Sequence, residues 1–131
     1  MEKAIKWILG LGGASASFLW GGWSSLLGVL LFLVILDYLS GMIAAAMEGK
    51  LNSGVGMIGI TKKILTFALV AVAHLVDGTL GENHLFRDAA IFFYLANEML
   101  SILENAGRIG VPIPPGFHQA IELLKGKEEE K

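Results

Sequence analysis

Residues 23–47 read WSSLLGVLLFLVILDYLSGMIAAAM, an apolar run in which Asp37 is the only charge. At ~1.5 Å per residue, the run outreaches a hydrocarbon core of ~30 Å. It reads as a helix that crosses a membrane. Three shorter apolar blocks surround it, at 4–20, 64–80 and 89–103. Lys6, Gly10, Gly12 and Gly13 interrupt the first; the later two hold His74 with Asp77, and Asn97 with Glu98. The pattern predicts an all-α membrane protein of one domain over 1–131. About four transmembrane helices are expected, near 4–20, 23–47, 62–80 and 86–106, or three if the first lies at the interface.

Composition agrees. Hydrophobic residues make up 54% of the 131 and charged residues 17%, against ~45–50% and ~25% in soluble domains. A net charge of −2 offers no electrostatic basis for nucleic-acid binding. The chain has no cysteine, which excludes disulfides, thiolate chemistry and Cys-zinc sites. His74, His84 and His118 are too scattered to make a metal site by spacing. No P-loop, no GxGxxG after a strand, no HExxH and no GxSxG occurs. Neither an enzyme nor a bound cofactor is expected.

Charge placement orients the helices. If all four blocks span, Lys3, Lys6, Lys50, Lys62, Lys63, Arg108, Lys125, Lys127 and Lys131 share one side, opposite Arg87 alone. The positive-inside rule makes that side cytoplasmic, with both termini there. Block one has two other readings. Lys3 and Lys6 with the short apolar run 7–11 and Ala14-Ser15-Ala16 resemble a cleavable signal. Alternatively, Trp7 and Trp20 could anchor an interfacial helix. Trp20-Gly21-Gly22-Trp23 reads as a tight turn at the membrane–water boundary.

The segment 48–63, EGKLNSGVGMIGITKK, carries Gly49, Gly54, Gly56 and Gly59, which disfavour a rigid helix. It is expected to lie along the cytoplasmic interface, with Lys62 and Lys63 snorkelling to the headgroups. After block four, Pro112, Pro114 and Pro115 forbid helix continuation. Phe117, Ile121 and Leu124 then suit a short amphipathic helix over 116–125. The final KGKEEEK reads as a solvated charge run.

Residues three or four apart share a helix face. Tyr94, Asn97, Glu98, Ser101 and Asn105 form such a stripe, with Glu104 at its edge. Asp37, Ser40, Gly41, Ala44 and Glu48 form a weaker one. Gly12–Ala16 and Gly41–Ala45 have the spacing that lets helix backbones approach closely. A charged carboxylate at the bilayer centre costs ~2.5–3.5 kcal/mol, so Glu98 is not expected to face lipid. It is protonated and hydrogen-bonded, paired inside the bundle (for example with His74) or across protomers, or exposed to water in a pore. The residues permit a small ion channel using Asp37, His74, Asp77 and Glu98. They also permit a non-conducting membrane anchor that docks through its Pro elbow and C-terminal helix.

DYLSGMIAAAMEGKLNS, then GITKK, then NEMLSILENAGRIGVPIPP resemble the bacteriophage holin family that includes the toxin-secretion holins. The matching residues are Asp37 and Gly41; Asn52 and Ser53; Gly59, Ile60, Lys62 and Lys63. In the last segment they are Asn97, Glu98, Ser101, Ile102, Glu104, Asn105, Gly110, Pro112, Ile113 and Pro114. The resemblance covers roughly residues 37–125. It implies a multi-helix protein of the bacterial cytoplasmic membrane that forms homo-oligomers in the lipid bilayer. Such proteins open lesions through which an endolysin or a toxin leaves the cytoplasm, for host lysis or secretion.

Overall fold

The structure, a computed structural model, describes residues 1–116 together with Gln119 and Leu123. Four helices are bounded among the described residues: α1 (Glu2–Trp20), α2 (Ser25–Met47), α3 (Ser53–Leu80) and α4 (Leu85–Ile109). Among the described residues there is no strand. The predicted amphipathic helix, with Phe117, Ile121 and Leu124, lies almost wholly outside them.

Local chemistry sets the helix boundaries. The Ser24 hydroxyl accepts the backbone N–H of Leu27 and caps α2; the Asn52 amide oxygen accepts that of Val55 and caps α3. The third helix therefore begins at Ser53, not at 62. The glycine-rich stretch, expected not to form a rigid helix, is helical from Ser53 onward. Packing outweighs low helix propensity here: a Cβ on Gly56 or Gly59 would come within 3.3 Å of Tyr38 on α2. These glycines allow the two helices to approach.

α2 packs most extensively on α4, and α3 packs on α4 as well. Leu27 and Leu30 meet Val70 and Ile91 in one core cluster with Val34. Early α2 thus lies beside early α4 and late α3, so α2 and α4 run parallel and α3 runs against both. α2 and α3 are, among the described residues, the two helices long and apolar enough to cross a membrane. Their outward faces expose Phe32, Ile35, Leu39, Ile43, Leu65, Leu69 and Val72. An apolar shell of that extent fits a bilayer better than water.

α1 stands apart. Its residues are exposed up to Ser15, and only Ala16, Leu19 and Trp20 are partly covered. The Trp20 indole N–H donates to the Phe67 carbonyl at 3.0 Å, and its ring meets Trp23 and Phe67 edge-on. Gly12 faces open space, whereas Gly41 lies against Asn105 of α4 and Ala45 is buried. Of the two small-residue pairs, Gly41–Ala45 packs between helices, whereas Gly12 is open and Ala16 is partly covered.

The break between α1 and α2 falls at the predicted turn. Gly21 ends α1 in the left-handed region, at φ 73°. A Cβ there would lie 2.7 Å from a His84 ring carbon and 2.8 Å from one of His74. Gly22, at φ 100°, has open space around it. Gly21→Ala is expected to cost ~2–3 kcal/mol, from strain plus overlap, and Gly22→Ala ~1 kcal/mol, from strain alone. Thermal melts of the detergent-solubilised protein check the difference.

Candidate functional site

Three helices each contribute charge to one buried point. Asp37 on α2 and Glu98 on α4 are 5% and 6% exposed, and the Lys63 side chain from α3 reaches between them, 22% exposed. Lys63 Nζ donates to Asp37 Oδ2 and to both Glu98 oxygens, at 3.0 and 2.9 Å. Two turns along α4, on the same face, Asn105 is also buried. Its Nδ2 donates to the Asp37 carbonyl at 3.2 Å, to Asp37 Oδ1 at 2.9 Å and to Ser40 Oγ at 3.0 Å. Its Oδ1 accepts from Arg108 Nη1 at 3.1 Å, and Arg108 also pairs with Glu48 at the end of α2. A continuous polar chain therefore runs along the α2–α4 contact, from Glu98 through Lys63, Asp37 and Asn105 to Arg108 and Glu48.

The chain has graded exposure. At its outer end the Arg108 guanidinium beside Glu48 holds that carboxyl below the usual carboxylate range, and both groups are solvated. At its inner end one ammonium serves two carboxylates. Charges buried this deeply persist only when paired and hydrogen-bonded. A cavity of about 240 Å³ opens beside them, lined by Asp37, Tyr38, Gly41, Lys63, Ser101 and Arg108 among others. Its lining includes both Arg108, at the exposed end of the polar chain, and Lys63.

Several expectations change on this geometry. Lys63 turns inward to the two carboxylates instead of reaching the headgroups; Lys62 stays exposed. The partner of Glu98 is Lys63, not His74. Asp37 and Ser40, on one predicted stripe, lie beside Glu98 and Asn105 on the other, and Ser101 lines the same cavity. Glu104 is half-buried on the flank, and Asn97 is half-buried with no side-chain hydrogen bond among the described residues. The Lys63 contribution had one signal in the sequence: two carboxylates in separate apolar blocks with a single lysine pair opening a third.

His74 and Asp77 belong to a different cluster, at the opposite end of the bundle. Asp77, 1% exposed, accepts the backbone N–H groups of Phe86 at 2.8 Å and Arg87 at 2.9 Å. The residue preceding α4, His84, is left-handed and makes no side-chain cap. Asp77 reaches over from α3 to satisfy the first turn of α4 instead. Arg87 donates to the Trp20 carbonyl at 2.7 Å, tying α4 to the C-terminus of α1. The His74 and His84 rings stack 5.8 Å apart over Gly21. The four groups Asp37, His74, Asp77 and Glu98 therefore do not form one path. Among the described residues no group of three or more His, Asp and Glu is placed to hold a metal ion.

The sequence profile of the bacteriophage holin family matches residues 14–126. An uncharacterized protein of Halalkalibacterium halodurans is 47% identical over 98% of both chains. An uncharacterized protein of Listeria monocytogenes is 44% identical, covering 100% of this chain and 96% of its own. The uncharacterized protein YqxH of Bacillus subtilis is 36% identical over 86% of this chain and 80% of its own. No solved structure matches the chain.

Proposed function

This chain belongs to the bacteriophage holin family, and from that premise we propose that it acts as a holin. It inserts in the bacterial cytoplasmic membrane as a multi-pass bundle with both termini inside. There it assembles into homo-oligomers and opens lesions that release an endolysin, or a toxin, from the cytoplasm. The observation that carries this reading is the ionic network inside an otherwise lipid-compatible shell. Lipid excludes Asp37, Lys63 and Glu98 from the outer surface. Two environments suit them: the interior of one protomer, where they pair as described, or a water-filled lumen between protomers.

Opening is then a population shift between two packings of the same helices. The half of the α2–α4 contact near Leu27, Leu30 and Ile91 is apolar and has nothing to gain from water. The half near Asp37, Asn105 and Arg108 is polar, and water competes well for its hydrogen bonds. The polar half is the one that opens, with the cavity beside Lys63 as its starting point.

The test is inducible expression in a bacterium, with and without a cytoplasmic endolysin, following turbidity and membrane potential. Lysis that requires both proteins supports the reading. Depolarisation without enzyme release supports a small channel, and neither effect supports a non-conducting anchor. Glu98→Leu sharpens the test because it leaves Lys63 and Asp37 as a balanced pair. It is expected to delay or abolish lysis while the protein still reaches the membrane. Unchanged lysis timing at equal expression removes Glu98 from the opening step.

A further inference from the structure

α4 has a second line of side chains beside the face that it buries, and Ala90 within that line packs against the core. Its buried residues are Arg87, Ile91, Glu98 and Asn105. On the flank of that face, Phe86, Ala90, Phe93, Asn97, Leu100 and Glu104 follow one another at alternating spacings of four and three. This is the spacing of a helix–helix seam. None of the six is buried; Phe86 is 43% exposed and Phe93 59%. The polar residue at the middle of this line, Asn97, has an amide with no side-chain hydrogen bond among the described residues.

We infer that the α4 seam through Phe86, Phe93, Asn97 and Leu100 is the contact with a second copy of this chain, and that the two Asn97 amides hydrogen-bond each other. The inference rests on the reading above that α4 lies in the membrane. Lipid can cover the phenylalanines but cannot satisfy the amide, and an unsatisfied amide is expensive in hydrocarbon. Lumenal water would satisfy the amide but not Phe86, Phe93 and Leu100 on the same line. A second protein surface that is dry and presents an amide meets both demands. An amide is both donor and acceptor, so it complements itself. Copies inserted in one orientation hold their α4 helices parallel, and a parallel seam sets each residue against its own counterpart. A single asparagine in an apolar seam also fixes register and partner number.

The absence of cysteine makes the test clean. Single cysteines are placed in the full chain at Phe93, Asn97 and Leu100, and at Phe92 and Met99 off the seam. Membranes holding each variant are oxidised with copper phenanthroline. Disulfide-linked dimers are expected for Phe93→Cys, Asn97→Cys and Leu100→Cys, and not for Phe92→Cys or Met99→Cys. Adding Asn97→Leu to Phe93→Cys should lower the dimer yield several-fold, and adding Asn97→Gln should largely preserve it. Equal crosslinking at all five positions, crosslinking confined to 92 and 99, or none in membrane-inserted protein overturns the seam. Rapid labelling of unoxidised Asn97→Cys by a charged, membrane-impermeant thiol reagent also overturns it, in favour of a lumen. The two readings fail separately. Seam crosslinks without lysis remove the holin function alone, and lysis without seam crosslinks removes the seam alone.

Discussion

Lys63→Met is expected to destabilise the bundle by ~3–5 kcal/mol, the cost of leaving buried charge unpaired. The methionine fills a similar volume, so the effect isolates the lost ammonium. Asp37 and Glu98 remain, both under a tenth exposed, with Asn105 still donating to Asp37. Two carboxylates sharing a site without a cation cannot both stay charged. The variant should show a lowered thermal midpoint in detergent and loss of α2–α4 crosslinks between engineered cysteines. Lys62→Met, one residue away and exposed, should change stability by no more than about 0.5 kcal/mol. The triple variant Lys63→Met, Asp37→Asn, Glu98→Gln removes all three charges together and should recover much of the loss, because neutral amides can hydrogen-bond where charges cannot remain. Equal stability of Lys63→Met and Lys62→Met would show that Lys63 is not the central cation.

Asp77→Ala is expected to cost ~2–4 kcal/mol through a different mechanism. The carboxylate is nearly inaccessible and accepts two backbone N–H groups at the start of α4. Each hydrogen bond to a charged acceptor contributes ~1.5–3 kcal/mol, and the Arg87 donor left behind is buried. The negative charge also favours the positive end of the α4 dipole. Asp77→Asn keeps one oxygen acceptor and should recover about half of the loss by the same reasoning. Hydrogen exchange at the Phe86 and Arg87 amides is the direct readout, and both should lose protection in Asp77→Ala. Protection that survives the substitution would mean that α4 is capped by some other group.

The two sites differ in how much of them is written along the chain. The stripe of Glu98, Ser101 and Asn105 on one helix, and of Asp37 and Ser40 on another, follows from a spacing of three and four within each block. The exclusion of those groups from lipid follows from solvation energy alone. The place of Lys63 was not foreseeable, because snorkelling to the headgroups and turning inward are both open to a lysine at the end of an apolar block. The choice depends on where two carboxylates from other helices lie. Asp77 was missed for the same reason. A lone aspartate near a helix end looks like a boundary residue until the first turn of α4 is seen to lack a cap of its own.

The sequence by itself determined the class: an all-α chain, its polar stripes, the turn at residues 20–23 and the membrane-compatible surface. Each of these depends on hydrophobicity and periodicity, which are local and additive along a helix. Only the tertiary structure decided which charge meets which, that α3 extends back to Ser53, and that α1 touches the bundle by its last turn. Those outcomes rest on packing between helices far apart in sequence. Glycines facing Tyr38, one ammonium between two carboxylates and a cap supplied from a neighbouring helix acquire their meaning only when a second element arrives.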